Sequence, residues 1–441
     1  MTPLTYADLV RELFPRLTGG IRWGLARTER LLASVGDPQR SFRALHVGGT
    51  NGKGSVCASL EAALRADGRR VGLYTSPHLC SFRERIRLGG VPLGEATLLD
   101  AARRLWPAVE AERPSFFEAT TALAFLALAE AGAEVVVAEV GLGGRLDSTN
   151  VLVPEVVALT NVALDHRQYL GDTLEAIAGE KAGIIKAGVP VVTAERSESI
   201  RAIFGRRAAE LRAPFHALAA DEPATVQPTP AGTRFELTTA TWGPLRLATP
   251  LAGAHQAVNA ALAVRALELL PAPLRPSRVA VVAGLAGVSW AGRLQHEVID
   301  GRDWLFDVAH NPAGVEALVS ALPTLALPRP LVAVVGILGD KDWSRMLPPL
   351  GAAADTLVLT EPPSAPPERR WDAATVLARL PAVPGEVQPD FARALERARA
   401  LAGRGTVLVT GSFHTVGDAL ALLGRAPAGV DPPLHHETPA L

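Results

Sequence analysis

The run RALHV (43–47) passes without a spacer into GGTNGKGS and from there into SVCASLEAALRADG, whose apolar residues recur at helical spacing. An apolar strand, a glycine loop and a helix start in direct succession make a phosphate cradle at a strand end. Gly49, Gly52 and Gly54 let the backbone approach an anion closely, free N–H groups at the helix start point at it, and Lys53 adds a mobile positive charge. The spelling departs from the usual phosphate-binding loop, which has a glycine five places before the Gly-Lys pair and a hydroxyl directly after the lysine. Here Val47 holds the early position, Gly54 follows Lys53, and the hydroxyl waits until Ser55. A tight turn with a surface lysine is the plain alternative. It leaves unexplained why three glycines, a lysine and a hydroxyl share seven residues at this junction.

Around this loop, short β-branched runs alternate with longer Ala/Leu-rich segments charged at helical spacing, which predicts an α/β fold with parallel sheets and crossover helices. RVGLYT (70–75), EVVVAEV (134–140), EVVALTNV (155–162) and VPVVTAE (189–195) join 43–47 as strands of one sheet. From 213 to 250 the segments APFHAL, TRFELTTATW and PLRLAT, broken by Pro and Gly, read as antiparallel hairpins forming a subdomain. A second α/β series follows in WLFDVAH (304–310), PLVAVVGIL (330–338), DTLVLTE (355–361) and TVLVTGS (406–412), with the joint at WAGRLQH (290–296). The expected division is 1–294, with the β-rich part at about 213–250, then 295–424, then a poorly ordered tail over 425–441. His435, His436 and Glu437 lie in that tail and read as solvated side chains rather than metal ligands.

Composition narrows the function classes. The 441 residues suffice for two to three compact units with cores of their own. With 44 basic side chains against 45 acidic ones, nothing draws the chain to nucleic acid or a membrane surface. Only Cys57 and Cys80 occur, the start lacks a signal pattern and no apolar stretch is long enough to span a bilayer, so the expected location is the cytoplasm.

A bound nucleotide triphosphate needs a divalent cation, and the predicted strand ends supply hard donors. Ser76 and His78 follow strand 70–75, Glu139 ends strand 134–138, and Asp165 with His166 follow strand 155–162. A hydroxyl, a carboxylate and an imidazole converging over the loop would suit Mg²⁺ held partly by substrate oxygens. Singly, each has a duller reading: Ser76 as a turn hydroxyl, Glu139 as a solvated strand end, His166 as a hydrogen-bonded core histidine. Lys181, in GEKAGIIKAG, reads by itself as a solvated lysine.

In order along the chain stand GTNGKGS, TSPHL (75–79), FFEATT (116–121), EVGLGGRLDSTN (139–150), LDH (164–166), GEKAGIIK (179–186), GAHQAVNA (253–260), AGR (291–293), DVAHNP (307–312), GDKD (339–342) and TGSFHTVG (410–417). Together they resemble the folylpolyglutamate synthases and their bifunctional dihydrofolate synthase relatives, over residues 20–420 or so. The resemblance implies a P-loop-type ATPase domain followed by a Rossmann-like glutamate ligase domain, with the shifted hydroxyl as the variant loop shared by folate and cell-wall amino-acid ligases. Thr50, Asn51, Gly52, Lys53, Gly54 and Ser55 would bind the ATP phosphates, and Asn259, Arg293 and Asp307 would complete the nucleotide site. Two Mg²⁺ ions would sit on Ser76 and Glu139 and on His166, and a monovalent cation is a further candidate. Lys181 would be carbamylated, which turns an ammonium into a carboxylate-like ligand; Lys53, Glu139, His166 and Lys181 would carry the catalysis. Phe116, Phe117 and Glu118, with Asp147 and Ser148, would contact the pterin, and His310 and Ser412 the incoming glutamate.

The implied reaction passes the γ-phosphoryl of ATP to a carboxylate of the pterin substrate, giving an acyl phosphate that the glutamate amine attacks. Carboxylate oxygen is a poor leaving group, and phosphorylation repairs that. Because the nucleotide contacts fall on both sides of 290–296, the two units are expected to close around the substrates. Ser148, where many relatives carry alanine, leaves one activity or two open, while the FFE triplet and the short segment IRWGLAR favour both. The rivals are weaker. A Mur-type nucleotide-sugar ligase would carry a further domain before the loop, where 48 residues precede Gly49. A P-loop switch would want its hydroxyl directly after the lysine, and a non-catalytic nucleotide module would have no need of Lys53, Glu139, His166 and Lys181 together. The expected partners are small molecules and the expected state is a monomer.

Overall fold

The computed structural model describes residues 2–17 and 23–431. Its first sheet has eight strands: β1 (Arg43–Gly48), β2 (Val71–Tyr74), β3 (Ile86–Leu88), β4 (Val91–Pro92), β5 (Val135–Glu139), β6 (Val156–Leu159), β7 (Val191–Thr193) and β8 (Phe215–Ala217), in the order β4-β3-β2-β5-β1-β6-β7-β8. The six from β2 to β8 are parallel, and β3 and β4 add an antiparallel edge. β1 from Ala44 onward and all of β5 are buried because helices cover both faces, and alternate side chains serve two different cores. Val135 and Val137 join Leu45, Val47, Leu60 and Ala261 on one face, while Val136 and Ala138 join Leu105, Phe125 and Leu128 on the other.

The loop helix Lys53–Ala66 lies on the first face, between helices Ala254–Glu268 and Arg278–Ala286. Its contact with the latter is close: a Cβ on Gly284 would stand 2.4 Å from Ala63 Cα. The opposite face is covered by helices Glu95–Glu112 and Phe116–Glu130. The second of these starts in a capping box, Ser115 and Glu118 each bonding the other's backbone N–H, a device worth about 1 kcal/mol.

A three-stranded antiparallel sheet, β9 (Ala224–Thr229), β10 (Gly232–Thr239) and β11 (Gly243–Thr249), hangs on this unit. Phe235, Leu237, Leu245 and Leu247 point from it into the core that holds Leu60 and Ala261. The segment APFHAL does not belong to it. Its strand β8 pairs in parallel with β7 and extends the large sheet. Three residues are too few for periodicity to tell a parallel edge strand from a hairpin arm.

The third sheet is built from β12 (Gln295–Ile299), β13 (Arg302–Phe306), β14 (Leu331–Val335), β15 (Thr356–Leu359), β16 (Gly385–Val387) and β17 (Thr406–Thr410), in the order β12-β13-β17-β14-β15-β16. All neighbours are parallel except β12 and β13. The strand pair β3–β4 and strands β9, β12 and β16 escaped the sequence reading, each short or half polar.

The tail is firmer at its start than expected. After helix Phe413–Leu422 the chain returns to the first unit, where the Asp431 carboxylate accepts from Tyr6 Oη (2.9 Å), Ser81 Oγ (2.9 Å) and the Phe82 N–H (2.6 Å). His435, His436 and Glu437, and the first residues of IRWGLAR, lie outside the described residues. Among those described, no helix is long and apolar enough to cross a membrane.

Candidate active site

The C-terminal ends of β1, β2, β5 and β6 point at one place, as strand ends in parallel sheets do where the strand order reverses around the first strand. The glycine loop there is forced into its shape by close neighbours. Gly49 has φ +134°, and a Cβ on it would collide with Thr160 Oγ1 at 1.8 Å; Gly52 has φ +84° and faces Asn259 Oδ1. The loop is tied to the end of β6 by Thr50 N–H to Asn161 O (2.8 Å) and Asn51 N–H to Asn161 Oδ1 (3.0 Å).

Above the loop lies a cavity of about 250 Å³, lined by Thr50, Asn51, Gly52, Lys53, Gly54, Ser55, Ser76, Glu139, His166, Lys181 and Asn259 from the first unit and by Arg293, Asp307 and His310 from the joint and the second. All the residues expected to serve nucleotide, metal and catalysis therefore share one space. Lys53 Nζ donates to Thr50 O (3.1 Å) and stands 3.8 Å from Glu139 Oε1, and Ser76 N–H donates to Glu139 Oε2 (3.1 Å). Burial pushes the Glu139 carboxyl above its usual range, opposed by the charge of Lys53. Burial, helped by the charge of Lys341, drops the His166 imidazole to about 3, so it is neutral with a free lone pair. Ser55 Oγ is fully buried and has no hydrogen-bond partner among the described residues.

Lys181 is not solvated. Its side chain is buried and its Nζ donates to Gly49 O (2.8 Å). Burial, then the charge of Lys53, lowers the ammonium to about 7.

The remaining expected residues are placed differently. Phe116 is in the core, against Phe14 and Phe82, and Phe117 lies over Gly141. Glu118 is committed to its helix cap and to Arg27 (2.7 Å), and Asp147 accepts from Leu142 N–H and from Thr149. Ser148 is buried beside it. Ser412 caps helix Phe413–Leu422 through Thr415 N–H (3.1 Å). None of these six lines the cavity.

A polar cluster that sequence reasoning did not assemble crosses the joint. Asp165 accepts from Lys341 Nζ (2.6 Å) and Asn311 Nδ2 (3.0 Å), with His310 Nε2 at 3.5 Å, while Asn311 also bonds Asn51. Burial opposes ionisation of Asp165, yet the hydrogen bond from His310 and the charge of Lys341 hold it well below the usual carboxylate range. The motifs DVAHNP and GDKD flagged Asn311 and Lys341, but nothing in a sequence joins residues 146 and 176 places away from their partner.

This arrangement recurs in known proteins. Residues 47–267 match the Mur ligase middle domain, and residues 292–413 the Mur ligase glutamate ligase domain. The dihydrofolate synthase/folylpolyglutamate synthase of Bacillus subtilis is 37% identical over 80% of this chain and 84% of its own. The chain belongs to the dihydrofolate synthase/folylpolyglutamate synthase family. It is an ATP-dependent ligase that forms carbon–nitrogen bonds. The Mycobacterium tuberculosis folylpolyglutamate synthase complexed with ADP superposes on this ligase with a TM-score of 0.89 at 32% identity, covering 96% of this chain and 99% of that one. The Escherichia coli FolC in complex with DHPP and ADP gives 0.85 at 31% identity, covering the same shares, 96% and 99%.

Proposed function

We propose that this ligase joins L-glutamate to a reduced folate, and also to dihydropteroate, through an acyl phosphate formed with ATP. The observation that carries the reading is the single cavity in which Lys53, Glu139, His166 and Lys181 meet Arg293, Asp307 and His310 from across the joint. The helix-start amides and Lys53 grip and neutralise the nucleotide's phosphates while the acceptor carboxylate attacks the γ-phosphorus. Arg293 and Asp307 orient the nucleotide, and His310, tilted against Phe413, faces the incoming amino acid.

The donors fit magnesium. Among the described residues no three His, Cys, Asp or Glu side chains stand grouped for a metal, which suits a hard cation that takes most of its oxygens from substrate phosphates and water. Ser76 and Glu139 would hold one ion and the neutral His166 a second, with the orphaned Ser55 hydroxyl beside them; bound Mg²⁺ lowers the charge that the phosphoryl group presents to an incoming carboxylate. Lys181, about half uncharged at its lowered value of about 7, would take up CO₂ as a carbamate and add a carboxylate to that set.

Residues 1–294 and 295–424 act as two units that close on the substrates in a cytoplasmic monomer. Small-angle scattering profiles that superimpose with and without an ATP analogue and folate would count against closure. The reaction is tested by incubating the chain with ATP, Mg²⁺, glutamate and either acceptor. Phosphate release that requires both acceptor and glutamate supports the ligase; release with dihydropteroate as sole acceptor supports both activities, and release without glutamate sinks the reading.

A further inference from the structure

We propose that Arg85 is the receptor for a carboxylate of the acid that this ligase activates, an inference that rests on the ligase reading above and adds the residue that selects the acceptor. Arg85 ends the short turn Phe82–Arg85, and its carbonyl accepts the Thr75 N–H (3.0 Å), one residue before Ser76. Ser76 and Pro77 line the cavity, and His78 follows them directly. The Arg85 side chain does not line the cavity itself, but its guanidinium is close enough to feel the charge of cavity-lining Glu139, and only 7% of the residue is exposed.

Its partners are few. Nε donates to His78 Nδ1 (2.7 Å), and the guanidinium carbon lies 5.2 Å from the centre of the Phe116 ring. A guanidinium has five N–H donors and no means of discharging itself. Among the described residues no carboxylate pairs with it, because those nearby are engaged. Glu84 accepts from the Leu79, Cys80 and Ser81 N–H groups, Asp431 from Tyr6, Ser81 and Phe82, and Glu139 from Ser76 beside Lys53. A buried cation without its counter-charge is costly, and its unused N–H fork matches a carboxylate supplied from outside.

The surroundings define the kind of acid. Phe116 packs with Phe14 and Phe82, and Phe117 sits between Tyr74 and Gly141, the last a cavity-lining residue. Aromatic rings beside one guanidinium favour a planar aromatic acid over a small aliphatic one. Two carboxylates have this chemistry: the arylcarboxylate of dihydropteroate, which reacts, and the α-carboxylate of a folate's glutamate, which does not.

Full-length Arg85→Met and Arg85→Lys separate these. The expected result is a KM for the acceptor acid raised about tenfold or more in Arg85→Met, the loss typical of a hydrogen bond to a charged group, with the KM values for ATP and glutamate within about twofold of wild type. Arg85→Lys recovers part of the difference. A raised KM for dihydropteroate assigns its arylcarboxylate, and an effect confined to the folate KM assigns the α-carboxylate; either supports the proposal. Binding is read independently by fluorescence titration with dihydropteroate and its carboxamide, wild type preferring the acid and Arg85→Met showing no preference. Should Arg85→Met fail to fold, Arg85→Lys carries the titration and must show a weakened preference. An unchanged preference overturns the proposal, as do three KM values and the melting temperature shifting together, which would make Arg85 only a prop for His78. Wild type that binds neither compound overturns the ligase reading as well, whereas wild-type binding with no preference for the acid overturns this proposal alone.

Discussion

Lys181 offers the sharpest chemical test. Only an uncharged amine reacts with CO₂, and an ordinary lysine titrating at 10.5 is about 0.3% uncharged at pH 8. Burial lowers Lys181 to about 7, so about nine-tenths of it is uncharged at the same pH, an advantage of about 300-fold. The bond from Nζ to Gly49 O (2.8 Å) survives the reaction, since a carbamate nitrogen keeps one hydrogen. The value is depressed rather than raised, so the reactive form is lost as the pH falls through 7 and gained above it. Protein equilibrated with ¹³C-bicarbonate at pH 8 should show a carbamate carbon that is missing from Lys181→Ala, and activity should fall after CO₂ is stripped and return on adding bicarbonate. In limiting CO₂ that activity should decline with a midpoint near pH 7. Full turnover by enzyme that carries no labelled carbon at saturating bicarbonate would refute the reasoning.

Lys53→Ala should lower acceptor-dependent phosphate release by about two to three orders of magnitude, the scale of losing one preorganised charge at a transition state; a fall of less than tenfold would remove Lys53 from the chemistry. Asp165→Asn strands the buried Lys341 ammonium and should cost about 3–5 kcal/mol in urea unfolding, with Asp165→Asn/Lys341→Met recovering much of it; equal losses in the single and double variants would mean the pair is not coupled. Gly284→Ala forces a methyl against Ala63 and should destabilise by about 1–3 kcal/mol, read as a lower melting temperature with the KM for ATP unchanged.

The cradle, the α/β rhythm and the two-series order were legible because each is written in contiguous residues. A strand, its glycine loop and its helix occupy 43–66 without interruption. What escaped was of two kinds. Segments such as β8 and β16, three residues each, hold too little sequence for periodicity. Long-range partners such as Asp165 with Lys341, or Lys181 with Gly49, meet only when the sheet orders its strands. Burial has the same origin. Lys181 looks like any helix lysine until the glycine loop packs over it. Two of the expected substrate contacts could have been read otherwise from local spelling alone: Ser115-x-x-Glu118 is a capping-box signature, and Ser412 is a hydroxyl residue directly before an apolar helical run; the structure uses both as helix caps.

The return of the chain to Asp431 has a mechanical meaning. The second unit is held to the first by the peptide through 290–294, by the polar cluster in which Lys341 and Asn311 hold Asp165, and by the strap whose Asp431 carboxylate is held by Tyr6, Ser81 and Phe82. A lid pinned at one corner can swivel in any direction, and each further pin removes a direction of travel. If the units close as proposed, these pins narrow the approach of His310 and Asp307 to the glycine loop.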